Sequence, residues 1–248
     1  MDLDIYCGPA PLPGSLWSQW NFDPVLLRAL AAGFFVLITV SDTQRQRAAA
    51  ISALILALIA FVSPLCALAS ALFSVRVLHH ILLVTVLAPL VILAIPPQRR
   101  GSVALPAQLS FLAHTAMMWL WHAPGPYLFS LGSPAAYWLM EVSLLGSAVW
   151  LWHDILSPRR SVAAALALLL GTTLQMGMLG ALLTFARAPL FIAHLDTTQP
   201  YGLLPLADQQ LSGLLMWVPA ALPYLIVALI VLSRLFSARD AERQTVRR

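Results

Sequence analysis

A few side chains able to do chemistry interrupt otherwise apolar runs. His79 and His80 stand together in "SVRVLHHILLV", His122 closes "WLWHAP", and Glu141 interrupts "YWLMEVSLL". Gln175, Met176 and Met178 lie in "LQMGML", and Asp208, Gln209 and Gln210 precede Met216 and Trp217 in "DQQLSGLLMW". Imidazole with thioether is a soft ligand set suited to copper, Cu(I) in particular, whereas a zinc or calcium site would draw on more thiolate or carboxylate. His80, His122, Glu141, Met176, Asp208 and Met216 are therefore the candidate metal ligands. The two carboxylates could also hydrogen-bond the imidazoles and set their tautomers. A carboxyl inside an apolar run must be protonated, paired or wet, so Glu141 needs a partner; Arg76, Arg187 or a histidine could supply it.

Each candidate has a plainer reading. His122 sits next to Trp119 and Trp121, which fit an interfacial aromatic belt. Adjacent residues on a helix point about 100° apart, so His79 and His80 are not expected to share one pocket, and His79 is the one expected to face headgroups or a neighbouring helix. His114 reads as a hydrogen-bonded interior histidine, His153 beside Asp154 as a solvated loop residue, and Met117, Met118 and Met140 as packing residues. No nucleophile triad, phosphate loop, paired carboxylates or dinucleotide glycine pattern occurs, so catalysis is not indicated. The glycines of "GTTLQMGMLG" fit close helix approach better than ligand binding.

The elements that must position these groups are membrane helices. Hydrophobic residues make up 60% of the 248, charged ones 10%, and the mean hydropathy is +0.84; a soluble domain of this size has no use for so much apolar side chain. All fourteen basic residues are arginine, confined to short gaps between apolar runs, which points to membrane topology and away from nucleic acid. The opening residues are polar, Pro-rich and mildly acidic, and do not read as a cleaved signal peptide. Cys7 in that tail and Cys66 in an apolar run are too few and too differently placed to imply a disulfide framework; Cys7 is at most a first ligand for incoming metal.

A crossing needs about 20 apolar residues, and seven runs qualify, near 25–41, 47–73, 74–95, 106–124, 135–156, 161–186 and 207–235. The expected architecture is thus an all-α, seven-transmembrane-helix bundle over residues 25–236, preceded by an outer tail (1–24) and followed by a basic inner tail (237–248). The second and third spans are separated only by Ser74 and Arg76, where a tight turn is expected. With seven crossings, eleven of the fourteen arginines fall on one side, leaving only Arg28, Arg76 and Arg187 on the other. The positive-inside rule then puts the N-terminus outside, in the periplasm, and the C-terminus in the cytoplasm of a bacterial plasma membrane. On that topology the costly side chains gather in the outer half of the bilayer: His79 and His80 about 8–9 Å deep and Glu141 about 10 Å deep at 1.5 Å per residue. A polar pocket between facing helices is the expected result.

These residues resemble a known family. "WNFDP" (20–24), "SPL" (63–65), "HHILLVTVLAPLVILAIP" (79–96), "WLWHAP" (119–124), "LGALLTFA" (179–186) and "DQQLSGLLMWVP" (208–219), taken in order along the chain, look like the polytopic CtaG family of cytochrome c oxidase assembly factors. The resemblance implies a plasma-membrane protein that assists maturation of a haem-copper oxidase by helping copper reach it, with oxidase subunits and lipid as partners. His80, His122, Glu141, Asp208, Gln209, Gly213, Met216 and Trp217 match the family's signature positions. The chain departs from the pattern at Arg76, Trp138 and Val142, where the family often has histidine, and at His194, a tyrosine position. Two other readings remain: a b-haem cytochrome ligated by two histidines on adjacent helices, and a non-catalytic accessory subunit of a respiratory oxidase.

Overall fold

The computed structural model describes residues 5–101 and 105–246. Residues 1–4 of the expected outer tail, and Arg247 and Arg248 of the inner one, lie outside them. The described residues are helical, with no strand among them. After a 3-10 turn at Pro13–Ser18 come α1 (Pro24–Val40), α2 (Gln44–Phe61), α3 (Leu65–Ala71) and α4 (Phe73–Ile81). A π-helical stretch, Leu82–Leu87, joins α4 to α5 (Ala88–Ala94), so that Phe73–Ala94 forms one rod. There follow α6 (Ala107–Trp121), α7 (Pro124–Ser130), α8 (Pro134–Ile155), α9 (Val162–Thr184), α10 (Pro205–Trp217) and α11 (Ala221–Val246).

The helix starts are written locally. Asp23 accepts from the Val25 amide at 2.8 Å with Pro24 in the first helical position, and Thr43 with Gln46 forms a capping box. Ser133 and Ser161 cap α8 and α9 in the same way. Four helices are long and apolar enough to cross a membrane: Gln44–Phe61, Phe73–Ala94, Val162–Thr184 and Pro205–Ser233, with Pro24–Val40 a shorter apolar helix. The expected spans at 106–124 and 135–156 coincide with α6 and α8, but α6 has only 15 residues, and α8 carries Glu141, His153, Asp154 and three tryptophans. Length and hydropathy therefore support four crossings directly and not seven. The polar α8 packs against α5, α6 and α9, where protein rather than lipid surrounds its costly groups.

The expected turn at Ser74 and Arg76 is not there. The chain breaks earlier, at Val62 to Pro64, because Pro64 has no N–H to continue α2. It then bends at Leu72, whose extended backbone separates α3 from α4. Ser74 and Arg76 lie inside α4, both buried. Farther along the rod, Pro89 again removes a donor, and the ladder widens into the π-helical stretch ahead of it. There Trp152 donates from its indole to the Val84 carbonyl at 2.7 Å, and Thr85 donates to the Ile81 carbonyl at 2.8 Å.

The N-terminal segment folds over one end of the bundle and is fastened there. Cys7 and Cys66 form a disulfide, with Cα atoms 5.4 Å apart. This corrects the expectation that the two cysteines are unrelated: the break at Pro64 brings the start of α3 under the segment, a contact 59 residues distant in sequence. Tyr6 stacks on Tyr137 with ring centroids 5.0 Å apart and donates to Asp23 at 2.5 Å. Burial and the Asp23 carboxylate push the Tyr6 hydroxyl up to about 12, which keeps it a donor. Asn21 donates from its side chain to the Phe61 carbonyl, and Tyr201 donates to the Pro11 carbonyl.

The closest helix contact joins α9 to α10. A Cβ on Gly180 would come within 2.7 Å of the Gly213 carbonyl, and one on Gly213 would fall on Thr184 Oγ1 and the Gly180 carbonyl. Gly213→Ala is expected to lower stability by about 1–3 kcal/mol, whereas Gly125→Ala, which meets nothing, leaves the melting temperature in detergent within a degree or two. The C7S/C66S double variant is expected to lose up to about 4 kcal/mol on loop-closure grounds. Reductant should lower the melting temperature of the wild type toward that of the variant and leave the variant unmoved.

Candidate functional site

The site is built on α4. Arg76, His79 and His80 occupy positions i, i+3 and i+4, which share one face of a helix. Facing them is Glu141, two turns into α8 from its Ser133 cap. Its Oε1 lies 3.5 Å from Arg76 Nη1, 3.6 Å from His79 Nδ1 and 3.5 Å from His80 Nε2. His79 and His80 thus meet after all. Their side chains diverge, but one carboxylate oxygen lies within reach of both rings. His79, set aside in the sequence, belongs to the cluster, and Arg76 is the partner that Glu141 needed. The Arg76 guanidinium also lies over the Tyr137 ring, 5.3 Å from its centroid.

His122 completes the group from α6. Pro124 ends that helix, leaving His122 at the C-cap, where its Nδ1 lies 2.7 Å from the Met118 carbonyl. A carbonyl only accepts, so Nδ1 carries the proton and Nε2 is bare. His122 Nε2 lies 3.4 Å from His80 Nδ1, which makes His80 the donor through Nδ1. The bare nitrogen of His80 is then Nε2, turned toward Glu141 Oε1. Two acceptors facing each other across 3.5 Å repel unless a cation sits between them, either a proton or a metal ion. His79, His80 and Glu141 each offer one ligand atom, and the three atoms lie within 4.8 Å of one another, close enough to share one ion. His79 Nδ1 and Nε2, His80 Nε2 and Glu141 Oε2 have no hydrogen-bond partner. Unsatisfied lone pairs in a buried cluster fit a cation. Both nitrogens of His122 are engaged, so it acts on the cluster through His80.

The other candidates do different work. Asp208 sits at the start of α10 and points at the start of α4. Its carboxylate accepts from the Phe73 amide at 2.7 Å, from the Ser74 amide at 3.2 Å and from the Ser74 hydroxyl. It is a cap supplied by another helix, placed where the helix dipole favours negative charge. Gln209 accepts from the Leu190 amide at 2.6 Å, and Gln210 donates to the Ala186 carbonyl at 3.3 Å. The three polar residues of "DQQ" thus lash α10 to α4 and to the loop after α9. Met176 and Met216 are buried in the hydrophobic core, on α9 and α10. Gln175 accepts from the Trp119 indole at 3.1 Å. His114 pairs with Ser147 at 3.2 Å, as an interior histidine should. Asp154 is buried and paired with Arg160 at 2.9 Å, while His153, at the end of α8 and not on a loop as expected, reaches the Gly101 carbonyl at 3.0 Å in an exposed contact. His194, on the loop before α10, lies 2.6 Å from the Tyr127 hydroxyl.

The i, i+3, i+4 spacing of Arg76, His79 and His80 was the signal available for His79, the member set aside, and for choosing Arg76 as the partner of Glu141. It is masked in the sequence because an arginine between apolar runs also looks like a boundary.

Residues 31–238 match the family described as cytochrome c oxidase caa3 assembly factor (Caa3_CtaG). No curated protein and no solved structure matches.

Removing the cap tests the link between α10 and the site. Asp208→Ala is expected to cost about 2 kcal/mol or more, since it leaves buried donors unmatched. The loss should appear as faster hydrogen exchange at the Phe73 and Ser74 amides, with Asp208→Asn intermediate.

Proposed function

The chain belongs to the cytochrome c oxidase caa3 assembly factor family, and from that premise we propose that it hands copper to the maturing oxidase from the outer side of a bacterial plasma membrane. The observation that carries the reading is the buried convergence of His80 Nε2, at 3.5 Å, and His79 Nδ1, at 3.6 Å, on Glu141 Oε1. Such a group holds a cation as cargo. Its few ligands, two imidazoles and one carboxylate, would let the ion go to a better site on the oxidase. His122 and Met118 fix the tautomer that leaves His80 Nε2 bare. Nothing in this role requires bond making or breaking, and the protein is read as a non-catalytic factor whose partners are the oxidase subunits.

The same reading takes α1, α2, the Phe73–Ala94 rod, α6, α8, α9 and the α10–α11 pair as seven crossings with the N-terminus outside. The arginine pattern supports this. So does the Cys7–Cys66 disulfide, because such bonds persist on the oxidising side of the membrane. The haem alternative is disfavoured by one contact. The His80 and His122 rings touch at 3.4 Å, nearly perpendicular at 87°, which leaves no room for a macrocycle between them.

Deletion of the gene is expected to abolish most oxidase activity, with partial recovery when copper is added to the medium. Wild-type protein should restore activity, and His80→Ala and Glu141→Gln should not. Equilibrium dialysis of purified protein under reducing conditions should show copper bound at least tenfold more weakly by a His80/His122 double alanine variant. Equal binding would overturn the copper reading, and stoichiometric recovery of the protein with mature oxidase would favour an accessory subunit instead.

A further inference from the structure

We propose that Arg76 makes the cluster selective for a monovalent cation, so that the ion it carries is Cu+ and not a divalent metal. This rests on the preceding reading that the cluster holds copper, and adds the charge of the ion.

Ligand type alone does not decide for Cu+, since imidazole suits zinc and copper alike and the hard carboxylate does not favour the soft ion. Charge does. Arg76 and Glu141 are fully buried and 3.5 Å apart, so their charges cancel. His80 and His122 are neutral tautomers by the hydrogen-bond chain from Met118. A monovalent ion entering this neutral set leaves one net positive charge; a divalent ion leaves two. The cost of enclosing net charge in a medium of low dielectric rises as its square, so the second charge is much the more expensive. Repulsion from the guanidinium also doubles with the charge of the ion, and it acts at short range, because Arg76 Nη1 touches the same carboxylate oxygen that would ligate the metal.

Arg76 is fully buried over the Tyr137 ring and beside Glu141, but it forms no short hydrogen bond to the carboxylate. Its contact with Glu141 is longer than a well-formed charged hydrogen bond, and Nε and Nη2 have no hydrogen-bond partner. A guanidinium has donors only, so Arg76 does not ligate the ion. What it contributes to the site is a fixed positive charge beside the ligands. It is a specificity-determining residue that acts through the field at the site.

The test measures Cu+ and Zn2+ affinities of the full-length protein in lipid nanodiscs, each by competition with a chromophoric chelator, the Cu+ series anaerobically with reductant. The readout is the ratio of Zn2+ to Cu+ affinity. Any proton that Glu141 carries before binding is displaced by both ions and cancels in that ratio. Arg76→Gln is expected to raise the ratio at least about tenfold. Arg76→Lys, which keeps the charge, should leave it within about twofold. Glu141→Gln shifts the charge the other way and should lower the ratio, which gives a second measurement should Arg76→Gln fold poorly. A ratio unchanged in Arg76→Gln, or shifted equally in Arg76→Lys, would overturn the proposal. A wild-type protein that binds Zn2+ but no Cu+ would overturn it too, and one that binds neither ion would sink the copper reading as well.

Discussion

Two opposite charges, those of Arg76 and Glu141, are enclosed among apolar helices, and the rest of the bundle is arranged around that constraint. An isolated ion in such surroundings is prohibitively costly, and a paired one is tolerable only if the partners cannot separate. The pair therefore needs α4 and α8 held in fixed register. The devices that hold them are specific: the Asp208 carboxylate at the start of α4, the Ser133 cap on α8, and the Trp152 indole reaching from α8 to a carbonyl that the π-helical stretch leaves available. Each ties one helix end or one irregular stretch to a donor or acceptor, so the backbone groups freed by proline and by helix ends are satisfied within the protein.

That arrangement divides the family's signature residues by role. Glu141, His80 and His122 converge on one point, with His122 acting through His80. The "DQQ" stretch, which reads as a polar pocket lining, instead works at a distance, docking α10 onto α4 and the loop after α9. Gly180 and Gly213 serve the same docking by letting α9 and α10 approach until backbone meets backbone. Asp208, Gln209, Gln210 and Gly213 in "DQQLSGLLMW" thus have a positioning role that the contacts show directly. Position 76 belongs to the same convergence: Arg76 brings a positive charge to the carboxylate that His79 and His80 face.

Much of this was legible in the chain. Helix positions were, because caps and apolar runs are local: Ser133 and Ser161 start α8 and α9 within one residue of the expected bounds. The importance of Glu141, and Arg76 as a possible partner, were legible too, since a carboxyl in an apolar run has few alternatives. The break between α2 and α4 was misplaced, because both Pro64 and Ser74 are plausible punctuation, and it is Asp208, 134 residues beyond Ser74, that caps the first turn of α4 and keeps Ser74 within a helix. The disulfide was missed because two cysteines 59 residues apart carry no local sign of pairing.

By itself, the sequence determined that this is a helical, membrane-type protein, where most of its helices begin and end, and which side chains are too costly to be incidental. Those properties follow from hydropathy, propensity and capping, which act over a few residues. Only the tertiary structure decided which costly side chains meet: that His79 joins His80 at one carboxylate oxygen, that His122 meets His80, that Asp208 caps α4, and that Met176 and Met216 lie in the core. Those outcomes depend on the relative height and rotation of separate helices. Contacts between side chains distant along the chain set them, and no short stretch encodes them.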